Sequence, residues 1–208
     1  MRGGQGKKQA KLSDYRAVSG GANAWGRIMK TDIYNTNKKY SVIYADPPWA
    51  YRNTATRAAA SDHYPTMSRE ELSKMQSVVG GGITADDCVL FLWATFPTIK
   101  DALALIDAWG FVYKTIAFAW VKENKKSGGL FWGLGNWTRS NVEICLLATK
   151  GKPKRINAGV HSVVMSPIER HSEKPSEVRD RIVKLCGDVP RIELFARQEA
   201  EGWDCWGK

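Results

Sequence analysis

The residues best suited to chemistry stand together in Asp46-Pro47-Pro48-Trp49. An exocyclic amine on a nucleobase is a poor nucleophile, because its lone pair is delocalised into the ring. The carboxylate of Asp46 and the carbonyl of Pro47 can each accept one N–H of such an amine, which localises the lone pair for attack on a sulfonium methyl group. The ring of Trp49 offers a flat face for a base taken out of its stack. The motif therefore indicates methylation of an amine, with the rate gained mainly by holding the amine in position for attack. The alternative interpretation is a strand that ends in a proline turn with a capping Asp.

The stretch that must position Asp46 is Tyr40–Ala45, which is mostly apolar and rich in β-branched and aromatic residues. This composition predicts a buried strand. The two prolines must end it, because neither has a backbone N–H to give to a neighbouring strand. Asp46 then lies at the carboxyl end of a strand, which is the edge where ligands bind in open α/β sheets.

Helix and strand patterns alternate along the rest of the chain. The sequence Ser68-Arg-Glu-Glu71 is a capping box that predicts a helix to about residue 79, followed by a turn over 80–87. Polar, Ala-rich residues 51–65 predict a loop beside the site. The alternation predicts the α/β class, with a mostly parallel sheet flanked by helices. The other predicted elements are strands at 88–94, 112–121, 142–149 and 191–196, an extended part at 160–165, helices at 97–109 and 175–187, a Lys-, Gly- and Trp-rich loop at 122–138 and a short tail at 203–206.

The formal net charge of +10 is unevenly distributed along the 208 residues. Residues 1–40 contain nine Lys and Arg against two Asp and Glu, a balance of +7, and the other 168 residues contain 22 against 19, a balance of +3. Residues 1–24 show no hydrophobic period and are interpreted as a flexible basic arm ahead of one domain at 25–208. Basic arms often contact phosphate backbones, and the alternative is a solvated tail. Several of the nine tryptophans stand beside Gly, Asn or Arg, as stacking surfaces do.

Several classes of protein and site are disfavoured by the sequence. No apolar run reaches the roughly 18 residues that a membrane helix needs, and the first residues lack the apolar core of a signal peptide. The cysteines form no CxxC pair, which favours reduced, buried thiols and a cytoplasmic location over zinc ligands or disulfides. The histidines are too scattered to argue for a metal site, so no metal is predicted. The four cysteines are Cys88, Cys145, Cys186 and Cys205.

An ordered set of short motifs, covering roughly residues 25–207, resembles one family. This family is the adenine amino-methyltransferases typified by the catalytic subunit of the eukaryotic messenger-RNA adenosine methyltransferase, with many bacterial and phage members. Each motif alone is weak, but the ordered set is specific. In chain order the motifs are Asp46-Pro-Pro-Trp49, Tyr64-Pro-Thr-Met67, Leu90-Phe-Leu-Trp93, Trp109-Gly-Phe111, Trp120-Val-Lys122, Asn136-Trp137 with Glu143 behind it, His171-Ser-Glu-Lys174-Pro-Ser-Glu177, Ile192-Glu-Leu-Phe-Ala-Arg197, Gly202-Trp203 and Trp206-Gly207.

The resemblance implies an enzyme that uses S-adenosylmethionine on a Rossmann-like sheet, in the permuted (β-class) order where the catalytic motif precedes the cofactor-binding one. The catalytic residues that it implies are Asp46, Pro47, Pro48 and Trp49, which would hold the amine and the base, with Asp46 also near the cofactor. The other cofactor-binding residues that it implies are Asp32, Ile33, Lys174, Glu193, Leu194, Phe195 and Arg197. The substrate-binding residues that it implies are Tyr64, Asn136, Trp137, Arg139, Ser140, His171 and Ser172.

Four of these charged residues also have a plain structural interpretation. Lys174 could be a surface lysine beside a helix, and Glu193 could lie on the solvent side of a strand. Arg139 could pair only with a nearby carboxylate such as Glu143, and Asp32 could cap a turn. Charged residues are commonly exposed, so these alternatives stay open at the level of sequence.

The function implied by the resemblance is methyl transfer to the exocyclic 6-amino group of adenine in DNA. The intact Asp46 motif, the compact size and the basic arm favour DNA, and the same reaction on RNA is the first alternative. The second alternative is an inactive nucleic-acid-binding subunit of a methyltransferase complex. The expected partners are nucleic acid and either a second copy of the chain or a related subunit, with no membrane. The family commonly ends with Gly-Asn-Glu or Gly-Asn-Gln where this chain has Gly207-Lys208, so a cofactor contact is lost, replaced by Lys208 or supplied by a partner.

Overall fold

Seven strands, all in the part of the chain that the computed structural model describes, form one sheet. The described residues are 31–50, 66–135, 137–169 and 173–207. The predicted boundary between an arm at 1–24 and a domain at 25–208 lies outside them. The strands are β1 Tyr40–Ala45, β2 Thr84–Ala94, β3 Val112–Glu123, β4 Glu143–Lys150, β5 Val163–Pro167, β6 Arg191–Ala196 and β7 Asp204–Gly207.

The direction of β4 sets the topology of the sheet, because β4 runs against both of its neighbours. The strand order is β5-β3-β4-β2-β1-β6-β7, and every other neighbouring pair is parallel. The prediction of an α/β fold with a mostly parallel sheet is confirmed. Ala94 lies opposite Ile144 in the register, so the beginning of β4 shares one edge with the ends of β1, β2 and β6. We call this edge the carboxyl edge.

Three α-helices in the described residues cover the two faces of the sheet. They are α1 Arg69–Ser73, α2 Ile99–Ala108 and α3 Glu177–Cys186. Side chains alternate across each strand, so Ile43 of β1 shares a core with Leu72 of α1 and Leu105 of α2. The next residue, Tyr44, packs on the opposite face with Ile182 of α3. The sheet is therefore a central layer between helices, and no helix in the described ranges is long and apolar enough to span a bilayer.

The first helix begins as predicted but ends early. Ser68 Oγ accepts the N–H of Glu71, and the carboxylate of Glu71 accepts the N–H of Ser68, so the capping box is confirmed. The α-helix ends at Ser73 rather than near residue 79, and a π-helix follows over Ser77–Gly82. Three consecutive glycines close that π-helix.

The second strand is longer than its predicted range. β2 begins at Thr84, where a turn over 80–87 is predicted, so that turn is wrong. Asp86 and Asp87 are exposed near the start of the strand, and their charges hide its apolar pattern. The predicted tail at 203–206 is also a strand, since β7 pairs with β6 at the edge of the sheet.

The four cysteines lie in the described residues and are buried and free, as predicted. Burial raises the pKa of the Cys88 thiol to about 12 and that of the Cys186 thiol to about 11. These thiols therefore stay protonated and unreactive at neutral pH.

Gly80 marks a close contact between the π-helix and the end of α2. Trp109 follows α2 and is fully buried, and its indole N–H donates to the carbonyl of Leu72 at 3.0 Å. A Cβ on Gly80 would lie 2.5 Å from the backbone carbonyl oxygen of Trp109, whereas a Cβ on Gly81 would meet no atom within 4 Å. Of these two neighbours, residue 80 is the one at which packing requires glycine.

We expect Gly80→Ala to lower the free energy of unfolding by about 1–3 kcal/mol, because the added methyl group collides with backbone that cannot move aside. Gly81→Ala is the matched control, and it should change the stability by less than about 1 kcal/mol. Urea denaturation followed by tryptophan fluorescence measures both variants. Equal midpoints for the two would contradict the close contact.

Candidate functional site

Asp46 follows β1 directly and so lies at the carboxyl edge. The residues after it are held by backbone hydrogen bonds to Met67, which precedes α1. The carbonyl of Pro48 accepts the N–H of Met67 at 2.7 Å, and the N–H of Ala50 donates to the carbonyl of Met67 at 3.0 Å. These two bonds fix the turn that presents Asp46.

Trp49 is built into the core rather than left open beside Asp46. It is 6% exposed, and its indole N–H donates to the carbonyl of Trp93, near the end of β2, at 3.0 Å. The carbonyl of Pro47, predicted to accept an amine N–H, accepts the N–H of Trp49 at 2.8 Å. A carbonyl oxygen has two lone pairs, so it can take a second donor. Trp49 thus supports the Asp46 turn, and its contact with a base stays a prediction.

Lys174 lies before α3 and reaches the carboxyl edge as a buried cation. Its Nζ is 2.8 Å from Asp46 Oδ2 and 3.4 Å from Glu143 Oε2, and its side chain is 9% exposed. The ammonium group also lies 5.5 Å from the ring centroid of Trp93. Burial alone would lower the pKa of Lys174, but the two carboxylates raise it above its usual range. Lys174 is therefore charged, and its interpretation as a surface lysine is wrong.

Glu143 begins β4 and is a site residue to which the motifs assigned no role. Its Oε1 accepts a hydrogen bond from Lys122 Nζ at 2.5 Å, while Oε2 faces Lys174. Burial would raise the pKa of Glu143, but Lys174 and Lys122 lower it below its usual range. Glu143 was a suggested partner for Arg139, and it pairs with the two lysines instead. We call Asp46, Lys122, Glu143 and Lys174 the Lys174 cluster.

Only the strand pairing shows how Lys122 and Glu143 meet. In the antiparallel register of β3 and β4, Trp120 lies opposite Glu143. Residues two apart on a strand share a face, so Lys122 lies on the same face as Trp120 and reaches Glu143. The spacing along the chain contains no sign of this contact.

Glu193 lies on β6 and forms a buried ion pair through both oxygens. Arg179 of α3 donates through Nε to Oε2 at 2.7 Å and through Nη2 to Oε1 at 3.0 Å. Burial raises the pKa of Glu193, and the pairing with Arg179 offsets that shift only in part. The interpretation of Glu193 as a solvent-side residue is therefore wrong. Arg179 had no predicted role, because the contact joins a helix to a strand.

The residues that follow Glu193 lie at the end of β6, beside Asp46 and Lys174. Leu194 is fully buried, and its carbonyl oxygen lies 3.5 Å from the backbone nitrogen of Asp46. Phe195 has a positive φ of 61°, a strained conformation that is uncommon outside glycine. Arg197 lies close enough that its charge opposes the protonation of Lys174. Leu194 thus adjoins Asp46 and Arg197 lies near Lys174, and the contact of these residues with a cofactor stays a prediction.

Asp32 and Ile33 lie in a turn beside β7, to which the N–H of Thr31 donates at 3.2 Å. Asp32 Oδ1 accepts the N–H of Tyr34 at 3.0 Å, and Oδ2 accepts the side-chain amide of Asn35 at 2.5 Å. Ile33 is buried in the core. Asp32 therefore caps a turn, as the structural interpretation proposed, and its role toward a cofactor stays a prediction.

The described substrate-binding candidates lie on the hairpin between β3 and β4. Trp137, Arg139 and Ser140 are exposed, whereas Lys174 and its partners are largely buried, so these three lie outside the cluster. The carbonyl of Ser140 accepts the N–H of Gly133 at 2.7 Å across the hairpin. The other candidates lie outside the described residues, and they are Tyr64, Asn136, His171 and Ser172.

The Lys174 cluster determines what the carboxyl edge can do chemically. Two lysines face two carboxylates, so the cluster is formally neutral. Lys174 engages Oδ2 of Asp46 at 2.8 Å, which directs a donor group of a substrate to Oδ1. In the ranges that the structure describes, no three metal-ligating side chains are grouped to hold a metal ion. The arrangement can therefore hold and orient an N–H donor at Asp46.

Comparison with known proteins gives one family match and several relatives. A family model described as MT-A70 matches residues 40–208, a range that includes the whole Lys174 cluster. The chain is 37% identical over 190 residues to the type II methyltransferase M.MunI of Mycoplasma sp, and the alignment covers 82% of this chain and 77% of that protein.

Two METTL3 proteins are similar to a lower degree. The N(6)-adenosine-methyltransferase subunit METTL3 of Danio rerio is 30% identical over 161 residues, and the N(6)-adenosine-methyltransferase catalytic subunit METTL3 of Homo sapiens is 29% identical over 161 residues. Each alignment covers 76% of this chain but 26% of the METTL3 protein. The chain therefore spans about a quarter of the length of these relatives.

We expect Glu143→Gln to lower the free energy of unfolding at neutral pH by about 3 kcal/mol, because Lys122 and Lys174 stay charged and lose a buried carboxylate. The pKa of Glu143 is lower in the folded protein than its ordinary value of 4.5. The ionised Glu143 therefore contributes its full stabilisation at pH values above 4.5. That contribution is lost as the pH falls from there through the lower pKa of the folded protein. The stability difference between wild type and variant should shrink accordingly.

Urea titrations at pH 7 and at about pH 3.5 measure this difference. Glu177→Gln is the control, because Glu177 pairs with Arg181 near the surface and should contribute less than about 1 kcal/mol. A Glu143→Gln effect that is equal at both pH values would argue against the ion pairs.

Proposed function

Because the chain belongs to the MT-A70 family, we propose that it transfers a methyl group from S-adenosylmethionine to the exocyclic 6-amino group of adenine in DNA. It is an adenine methyltransferase, and its METTL3 relatives are named for N(6)-adenosine methylation. The observation that carries the proposal is the ion pair between Asp46 and Lys174 at the carboxyl edge. The pair places an oriented carboxylate directly after β1, next to the two prolines.

Asp46 orients the target amine in this mechanism. Lys174 holds Oδ2, so Oδ1 accepts one N–H of the amine, and the carbonyl of Pro47 accepts the other. Together they direct the nitrogen lone pair out of conjugation with the ring. As the new N–C bond forms, the carbon–sulfur bond of the sulfonium would break and its electron pair would return to sulfur, leaving a neutral thioether. The nitrogen gains positive charge in that step, and the Asp46 carboxylate stabilises that charge. The nitrogen then loses its extra proton toward Oδ1.

The residues around Asp46 suit S-adenosylmethionine in their chemistry. The ammonium group of Lys174 suits a carboxylate, and the carboxylate of Glu193, fixed by Arg179, retains lone pairs for ribose hydroxyl groups. When bound, the cofactor supplies an electrophilic methyl group on a sulfonium centre. The other residues that we assign to its binding are Asp32, Ile33, Leu194, Phe195 and Arg197.

DNA is the substrate that we favour. The basic residues at 1–40 suit a polyanion, and the similarity to M.MunI extends over 77% of that type II methyltransferase. RNA is the second candidate, because the METTL3 relatives are named for adenosine methylation. An inactive binding subunit is disfavoured, since Asp46, Lys174 and Glu143 are all present and paired.

The remaining assignments concern the substrate side, the location and the partners. We propose a cytoplasmic location, which the four free, buried cysteines support. Nucleic acid is the main partner, and a second copy or a related subunit is the protein partner that we would test for. The substrate side is assigned to Trp137, Arg139 and Ser140 on the hairpin, together with Tyr64, Asn136, His171 and Ser172.

We expect Asp46→Asn to lower methyl transfer by at least about 100-fold, because the amide can neither stabilise the developing charge nor accept the proton. The assay uses methyl-labelled S-adenosylmethionine with DNA and with RNA of mixed sequence, followed by nucleoside analysis. Asp107→Asn, at an exposed position of α2, is the control and should keep full activity. Turnover retained by Asp46→Asn would refute the catalytic assignment, and methylated adenine in RNA alone would move the proposal to RNA.

We expect removal of residues 1–24 to weaken nucleic-acid binding and to reduce its dependence on salt. These residues contain five Lys and Arg against one Asp, and each lost phosphate contact lowers the slope of log affinity against log salt by roughly 0.9 for duplex DNA. Titrations at several salt concentrations measure the slope, and unchanged cofactor affinity serves as the control. An unchanged slope would show that the arm does not contact phosphates.

A further inference from the structure

The tryptophans divide into two groups by exposure. Eight of the nine lie in the described residues, and six of these are at most 6% exposed. The interpretation of several tryptophans as stacking surfaces therefore fails for most of them. The two exceptions are Trp132 and Trp137, which are 59% and 97% exposed. Both lie on the hairpin between β3 and β4.

The same hairpin concentrates exposed apolar residues of other types. Leu130 and Leu134 are exposed there, so four of the eleven exposed large apolar side chains in the described residues fall within 130–137. A concentration of exposed large apolar side chains in one segment commonly marks a binding site. The core does not account for these four residues, because none of them belongs to it.

The hairpin is held by hydrogen bonds despite its exposed surface. The N–H of Phe131 donates to the carbonyl of Lys122 at 2.9 Å, and the N–H of Asn124 donates to the carbonyl of Gly129 at 2.7 Å. Asn141 ties both arms, since its side-chain amide donates to the carbonyls of Lys122 and Phe131. The rings are therefore presented on a fixed support, which lowers the entropic cost of binding a ligand.

Gly135 makes the turn that carries Trp137. Its φ is 64°, and a Cβ on it would lie 1.8 Å from the carbonyl oxygen of Thr138. Only glycine fits this position. The backbone on the two sides of Trp137 therefore lies close together at Gly135 and Thr138.

The charge of the hairpin suits a polyanion. Residues 122–140 contain four Lys and Arg against one Glu, a balance of +3. Lys122, at the base of the hairpin, pairs with Glu143, which in turn faces Lys174 and hence Asp46. Lys125 likewise pairs with Glu169, so the cations of the described hairpin that remain for a polyanion are Lys126 and Arg139.

We propose that Trp132 and Trp137 form a stacking surface for unpaired bases next to the target adenine, so that the enzyme binds a single-stranded polynucleotide. The proposal rests on the proposed function. Aromatic rings bind bases through their faces, and those faces are available in a single strand but covered in a duplex. The basic residues contact the backbone of the same strand. This surface adds Trp132 to the site and assigns the strandedness of the substrate.

The test compares Trp132→Ala and Trp137→Ala with wild type in binding labelled DNA oligonucleotides, followed by fluorescence anisotropy. Each oligonucleotide is offered as a single strand and as a full duplex. We expect tighter binding of the single strand, weakened roughly tenfold by either variant, with KM raised and kcat unchanged. Ile156→Ala is the control, since Ile156 is exposed beside the end of α3, and it should bind like wild type.

Three outcomes would overturn the proposal. Trp132→Ala and Trp137→Ala could bind the single strand like wild type. The full duplex could be preferred by all variants. The tryptophan variants could instead lose a dimer that light scattering detects for wild type, which would make the hairpin a protein interface.

Gly135→Ala, which displaces Trp137 and keeps its ring, should weaken single-strand binding in the same way.

Failure of the proposed function would look different from each of these. In that case no polynucleotide is methylated, while the anisotropy measurements still report whether the tryptophans bind unpaired bases. If methyl transfer is intact and the tryptophan variants are normal, only the stacking surface is refuted.

Discussion

A buried lysine held between two carboxylates is the interaction on which the site depends. An unpaired ammonium group in this position would cost several kcal/mol, so Lys174 is tolerated because Asp46 and Glu143 meet it. Those acids come from the end of β1 and the start of β4, and the lysine comes from the residues before α3. One charge therefore joins three segments that are far apart in sequence, and a change in the register of β1, β2 or β4 would leave it unpaired.

The core and the site share side chains, and Trp93 is the clearest case. It is fully buried on β2, and its indole N–H donates to the hydroxyl of Tyr44 at 2.6 Å. Its carbonyl accepts the indole N–H of Trp49, and its ring lies beside the ammonium group of Lys174. The packing of both faces of the sheet and the electrostatics of the cluster thus depend on one residue.

Local patterns predict most of the fold, and contacts through space determine most of the site. β1 and β6 match their predicted bounds, because prolines lie beside them: Pro47 follows β1 closely and Pro190 directly precedes β6. The π-helix and the start of β2 were missed, since consecutive glycines and aspartates carry no periodic signal. Motifs single out Asp46 and Lys174 separately. The pairing of Asp46 with Lys174 arises from strand register and helix packing, which no spacing along the chain encodes. The same is true of the contact between Glu143 and Lys174 and of the ion pair between Arg179 and Glu193.

Because β4 runs against its neighbours, the chain leaves the sheet at Glu123 and returns at Glu143 on the same edge. Such a connection needs no crossover, so its length is not tied to the layers of the fold. Insertions and deletions there add little to the entropy of loop closure and leave both ends of the hairpin where they are. The length of this hairpin can therefore change without disturbing the Lys174 cluster, because Lys122 and Glu143 lie at its two ends and pair with each other.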